Sequence, residues 1–133
     1  METPKAILDF FNTPLNPLGL HSDWVKVPEL HLEVYMRISK RFIAGEKVST
    51  VDVANLGVKR NFRRRGNASS LYRIIEREAD QRGLFVFVEN SVHAYMQNHH
   101  RRNGYTQVGE TEICCFYRTP NELEPDVYCP EFP

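Results

Sequence analysis

The chain has 133 residues, 41% hydrophobic and 26% charged, and its 17 basic and 17 acidic side chains balance to a formal net charge of zero. That length supports one domain with a substantial core and is too short for two; the neutral balance excludes a molecule that grips nucleic acid by overall charge. The charge is nevertheless uneven, with six basic and no acidic residues from Lys59 to Arg73, and six acidic residues against Arg118 alone from Glu110 onward. A local anion site is the expectation.

In chain order, Thr3 and Pro4 read as a cap and first-turn pair, and Ile7, Leu8, Phe10 and Phe11 follow at helical spacing. A Pro-, Gly- and Asn-rich loop comes next, with a brief strand expected over Trp24 to Val27. "LHLEVYMRISKRFI", Leu30 to Ile43, alternates apolar and polar residues as a half-buried strand does. "AGEK" turns the chain, and the β-branched run Val48 to Val58 pairs back as a hairpin.

After Gly66 the period changes. Ala68, Leu71, Tyr72, Ile75 and Ala79 share one helical face, Arg73, Glu76, Arg77 and Asp80 the other, and Gly83 closes the helix. "LFVFVEN" is a short apolar run, the pattern of a strand covered on both faces. A helix over Ser91 to Arg102, ended by Gly104, and two strands, "YTQVG" and "EICCFYR", complete the domain over residues 1–120, leaving an acidic, Pro-containing tail over 121–133. The expected fold class is α+β: a mixed, mostly antiparallel sheet with one parallel pair joined by a helix, and helices on both faces.

The turn "RRRGNASS", residues 63 to 70, stands between a strand and a helix. A helix start leaves backbone N–H groups unpartnered and carries partial positive charge, so it attracts anions. Gly66 permits a backbone conformation and an approach that a side chain would block, and the arginines add forked donors that match phosphate oxygens. A solvated basic turn without a ligand is the plain alternative. Neither a P-loop nor Gly-x-Gly-x-x-Gly is present.

"VDVANLGVKRNFRRRGNASSLYRIIEREADQRG" resembles motif A of the GNAT acetyltransferase superfamily, with Arg63-x-x-Gly66-x-Ala68 at its centre. "FVENSVHAYMQNHHRRNGY" is similar to the family's motif B, a buried strand, a helix and a closing Gly104-Tyr105. Together they cover about two fifths of the chain, in the family's order. The resemblance implies a GNAT-like fold and acetyl-CoA as acyl donor. Its pyrophosphate would sit on the amides of Arg64, Arg65, Gly66, Asn67 and Ala68, with Arg63 adding charge. The pantetheine arm would lie along Leu56, Gly57 and Val58, and Asn90 and His93 would face it. The last Gly/Ala position is Ala68 here, and Asn67 stands where an aliphatic residue is frequent.

The implied reaction moves an acetyl group to an amine, which needs a proton acceptor and, for the departing thiolate, an acid. Asp52 stands where some protein-lysine acetylating members carry a catalytic Glu, and His100 where the family often places a Tyr acid. Each has a plain alternative: a strand-surface acid for Asp52, and a polar helix end for "NHHRR", with Tyr95 a rival for the acid. Glu89 reads as a capping partner or a site residue, and Val92 and Met96 as core. Cys114 and Cys115 should point to opposite faces of their strand, and with Cys129 they show neither disulfide nor metal spacing, so no metal is expected.

An acetyl-CoA-dependent N-acetyltransferase is the leading reading, its acceptor a protein amine in preference to a small molecule. A GNAT fold that has lost catalysis and binds a partner or coenzyme A is the second, and a nucleic-acid module using residues 59–73 the third and least favoured. With neither a leader pattern nor a membrane-length apolar window, a cytoplasmic location without membrane partner is expected. The oligomeric state stays open, a dimer included.

Overall fold

The computed structural model describes residues 2–91, 93–109 and 113–121. Its elements are α1 (Lys5–Asn12), β1 (His21–Val27), a 3-10 turn (Pro28–Leu30), β2 (Leu32–Ile43), β3 (Glu46–Val58), a second 3-10 turn (Arg60–Phe62), α2 (Asn67–Arg82), β4 (Phe85–Ser91), α3 (Ala94–Arg102), β5 (Thr106–Val108) and β6 (Cys114–Arg118). The strands form one sheet in the order β1-β2-β3-β4-β6-β5. All neighbours are antiparallel except β3 and β4, which α2 connects. The fold is thus the expected α+β arrangement with a mixed sheet.

Local chemistry explains the elements. Ala44 and Gly45 both take positive φ, 51° and 83°, as a two-residue hairpin turn requires, and so join β2 to β3 without splaying them. That turn fixes the register Ile43 to Glu46, and with it Arg37 opposite Asp52. Ala54 is an extra residue in β3: Met36 faces Val53, whereas Tyr35 faces Asn55. Gly83, at φ 67°, ends α2, donating its N–H to the carbonyl of Asp80.

On one face of the sheet Val34, Met36, Val51, Val86 and Phe116 meet Ile7 of α1 and Leu71 and Ile75 of α2, all fully buried. Burying each such side chain stabilises the fold by roughly 1.5–3 kcal/mol. Polar contacts tie the same face: Tyr105 donates its hydroxyl to Glu76 at 2.8 Å, and Arg118 grips Asp80 in a fork at 2.8 and 3.0 Å.

Three expectations change in detail. Thr3 does not cap α1; its hydroxyl donates to Glu78 at 2.6 Å and accepts from Arg77, pinning the helix start to α2. The helix expected from Ser91 begins at Ala94, because β4 runs on through Ser91. Helices on both faces were expected, but the contacts of α1, α2 and α3 lie on the core face or on α2: Phe10 meets His21, Tyr72 meets His100, and His100 meets Phe116. Among the described residues the opposite face, with Trp24, Tyr35, Arg37, Asp52, Phe87 and Tyr117, carries no helix. The connection between β1 and β2 is too short to supply one. Val92, Cys129 and the tail beyond Asn121 lie outside the described residues.

Candidate functional site: a split strand pair beside a basic helix start

The parallel pairing of β3 with β4 covers only Thr50 to Val53 against Phe85 to Val88. β3 then continues for five residues and β4 for three without partners in each other. The extra residue Ala54 sits where they part, and a bulge bends and twists its strand. Across the gap β4 is irregular too, since its pairing with β6 breaks between Val88 and Ser91 and Asn90 takes a φ of 49°. Unpaired strand edges expose N–H and C=O groups, so the gap is a place where an extended polar chain can bind. A cavity of about 550 Å³ adjoins Gly57 and Lys59, with Lys26, His31 and Glu33 on its walls.

The basic turn follows directly. Gly66 is the N-cap of α2 at φ 79°, and Arg64 precedes it at φ 61°. Among the described residues no side chain caps α2. The first helical bond runs from Ser70 N–H to Gly66 C=O, so the amides of Asn67, Ala68 and Ser69 lie ahead of it. A Cβ built on Gly66 meets nothing within 4 Å, so the position demands glycine for its backbone angle and opens onto free space. Arg63 Nε donates to the carbonyl of Val58 at 3.1 Å and ties the turn to the end of β3. Arg65 lies over the ring of Phe62, 5.6 Å away, and Phe62 stacks on His31 at 3.6 Å. Asn67 reaches back to the carbonyl of Phe62.

Asp52 is completely buried on the helix-free face. Four donors engage its two oxygens: Thr50 at 2.6 Å, Arg41 at 3.2 and 2.9 Å, and Arg37 at 3.4 Å. Both guanidinium groups also bond Glu89. Burial opposes the charge on Arg41, but Asp52 and Glu89 outweigh it and raise its pKa. Asp52 is therefore neither the surface acid nor an open proton acceptor; it is the centre of a four-residue ion-pair cluster. Arg37 and Arg41 escaped the motif-based reading, whereas Glu89, expected as a capping partner or a site residue, joins them in this cluster. The signal was the two-residue Ala44-Gly45 turn, from which counting back brings Arg37 opposite Asp52.

His100 is 1% exposed, and neither ring nitrogen has a hydrogen-bond partner among the described residues. Tyr72, Tyr105 and Phe116 enclose it at 4.7, 5.0 and 5.3 Å between ring centroids. Burial, with the neighbouring His99 second, lowers its pKa to about 4. It is a neutral core imidazole near pH 7, not the imidazolium that an acid role needs. Tyr95 is exposed. Asn90 lies two residues beyond the last parallel pair, with its N–H pointing to Cys115 Sγ of β6 at 3.5 Å, and His93 precedes α3 as its N-cap. Cys114 is buried and Cys115 half-buried, as alternation requires.

No family model matches the chain, and no curated protein matches it. Solved structures do. The AtaT mutant toxin bound to the C-terminus of the antitoxin AtaR and acetyl-CoA is similar at a TM-score of 0.51 and 13% identity, over 66% of this chain and 57% of that one. AtaT complexed with acetyl-methionyl-tRNAfMet gives 0.50 and 15%, over 66% and 61%. A structure described as a bacterial toxin gives 0.54 and 12%, over 75% and 67%. The chain thus spans little more than half the length of AtaT. At these identities the likeness speaks for architecture: the fold is α+β and GNAT-like.

Proposed function

We propose that this protein is an acetyl-CoA-dependent acetyltransferase that transfers the acetyl group to an amine. The observation that carries the reading is the parallel strand pair that parts after four residues, directly beside an uncapped helix start held open by Gly66. The gap suits an extended pantetheine arm, and the helix start with Arg64 and Arg65 suits a pyrophosphate. Leu56, Gly57 and Val58 with Asn90 and His93 form the two walls, while Arg63 acts by holding the turn. The presence of acetyl-CoA in a similar structure supports the same ligand here.

For the acceptor we favour an amine on a macromolecule, in first place a protein amine, because the helix-free face is open. The AtaT complex adds the α-amine of an aminoacyl-tRNA as the competitor to test beside it. A non-catalytic coenzyme A binder is the second reading. It draws on Asp52 and His100, the side chains nominated for proton transfer, being occupied and buried respectively.

Calorimetric titration with acetyl-CoA tests the reading. Saturable binding at micromolar concentration is expected, weakened at least tenfold in an Arg64→Glu, Arg65→Glu double variant. Absence of binding at high micromolar acetyl-CoA overturns both readings, and binding without thiol release in the presence of amines selects the second.

A further inference from the structure

We propose that Glu89 is the carboxylate that receives the acceptor's ammonium group, at the helix-free mouth of the split between β3 and β4; this assignment rests on the acetyltransferase reading above. Val53 and Val88 form the last parallel pair, so Glu89 is the first β4 residue beyond it. Its side chain lies on the helix-free face, because it bonds Arg37 and Arg41 there, and Arg41 lies 4.0 Å over the ring of Phe87. α2 and α3 occupy the opposite side, so an acceptor approaches from this one. Of the two carboxylates in the cluster, Asp52 is fully buried with both oxygens engaged. Glu89 is 21% exposed. Its Oε2 takes both guanidinium groups, and its Oε1 has no hydrogen bond among the described residues.

One oxygen is thus held and the other presented. An ammonium supplies N–H donors for Oε1, in a charge-assisted bond. Its arrival gives the cluster three cations against two carboxylates, an imbalance that favours loss of a proton to water. The neutral nitrogen then forms a C–N bond to the thioester carbonyl carbon. The C–S bond breaks, and the thiolate takes the second proton that the nitrogen sheds, leaving an amide and free coenzyme A thiol. Asp52 becomes a positioning residue that holds Arg37 and Arg41 beneath Glu89.

The test compares wild type with Glu89→Gln and Glu89→Asp in acetyl-CoA titration, in urea unfolding, and in thiol release with two peptides, one bearing a single lysine amine and one a free α-amine only. Glu89→Gln is expected to keep acetyl-CoA affinity within twofold and to lose at least thirtyfold in kcat/KM, with a raised KM for the amine. Glu89→Asp is expected to recover part of that loss at equal folding stability. Wild-type kcat/KM in Glu89→Gln overturns the assignment and leaves the acetyltransferase reading standing. A loss that follows urea stability, without the rise in KM, also overturns it. Wild-type protein that binds acetyl-CoA but releases thiol with neither peptide overturns the assignment in favour of the non-catalytic reading, and failure to bind acetyl-CoA overturns both.

Discussion

At Gly66 the backbone takes a left-handed angle with open space where a side chain would stand, so a substitution there meets strain and no clash. Gly66→Ala is expected to cost about 1–2 kcal/mol of folding stability, the ordinary penalty for a Cβ in that region; Gly66→Asn should cost less, because asparagine visits it more readily. Urea midpoints of the two variants check the order. His100 is the other single residue with a measurable signature. Its pKa of about 4 lies below the ordinary 6.5, so the unfolded chain binds more protons between those values. Its contribution is complete above pH 6.5, declines as pH falls, and is lost below about pH 4. The whole change is about 3 kcal/mol. His100→Phe, which has no proton to gain, should therefore lose less stability than wild type between pH 7 and pH 4.5 in matched urea titrations.

Strands β2, β3 and β4 are clamped on their helix-free side by Arg37, Arg41, Asp52 and Glu89, one element contributing two cations and the others an anion each. Removing the central anion leaves two guanidinium groups sharing Glu89 alone, so Asp52→Ala should destabilise by about 3 kcal/mol. Wild-type stability in thermal and urea unfolding would contradict this. The clamp also shows where sequence reading stopped. Alternation and turn residues revealed the six strands and three α-helices of the described residues, because period 2 and period 3.6 are written in consecutive residues. The glycine turn was legible for the same reason. Asp52 and His100 were placed by their distance along the chain from a motif, whereas their roles depend on what lies across from them. Arg37 and Arg41 arrive from the neighbouring strand, and Tyr72 and Phe116 from other elements. Those meetings follow from register and from the side on which a helix docks, and the second of these has no local signature. The bulge at Ala54, which opens the gap, likewise has no marker beyond a small residue in a strand.

Among the described residues the layers are unequal: three helices and the apolar core occupy one side of the sheet, and the other side shows aromatic rings and a neutral ion-pair cluster. Two cavities adjoin this second side. One, of about 460 Å³, lies by Arg41, Ile43, Phe87, Val108 and Tyr117, and the other borders Glu33 and Gly57. No helix of the described residues is long and apolar enough to cross a membrane. The asymmetry divides labour in the proposed reaction, with the donor threaded through the sheet at the gap and the acceptor laid on the helix-free side.

That division comes with a built-in light source. Trp24 is the sole tryptophan of the chain, and it sits half-exposed on the helix-free face against Tyr35, at 5.4 Å between ring centroids. Its emission reports the polarity of that face alone. A lysine peptide or aminoacyl-tRNA that docks there should shift the emission maximum to shorter wavelength. Acetyl-CoA, entering beyond two intervening strands, should leave it unchanged, so one spectrum distinguishes arrival of the acceptor from arrival of the donor.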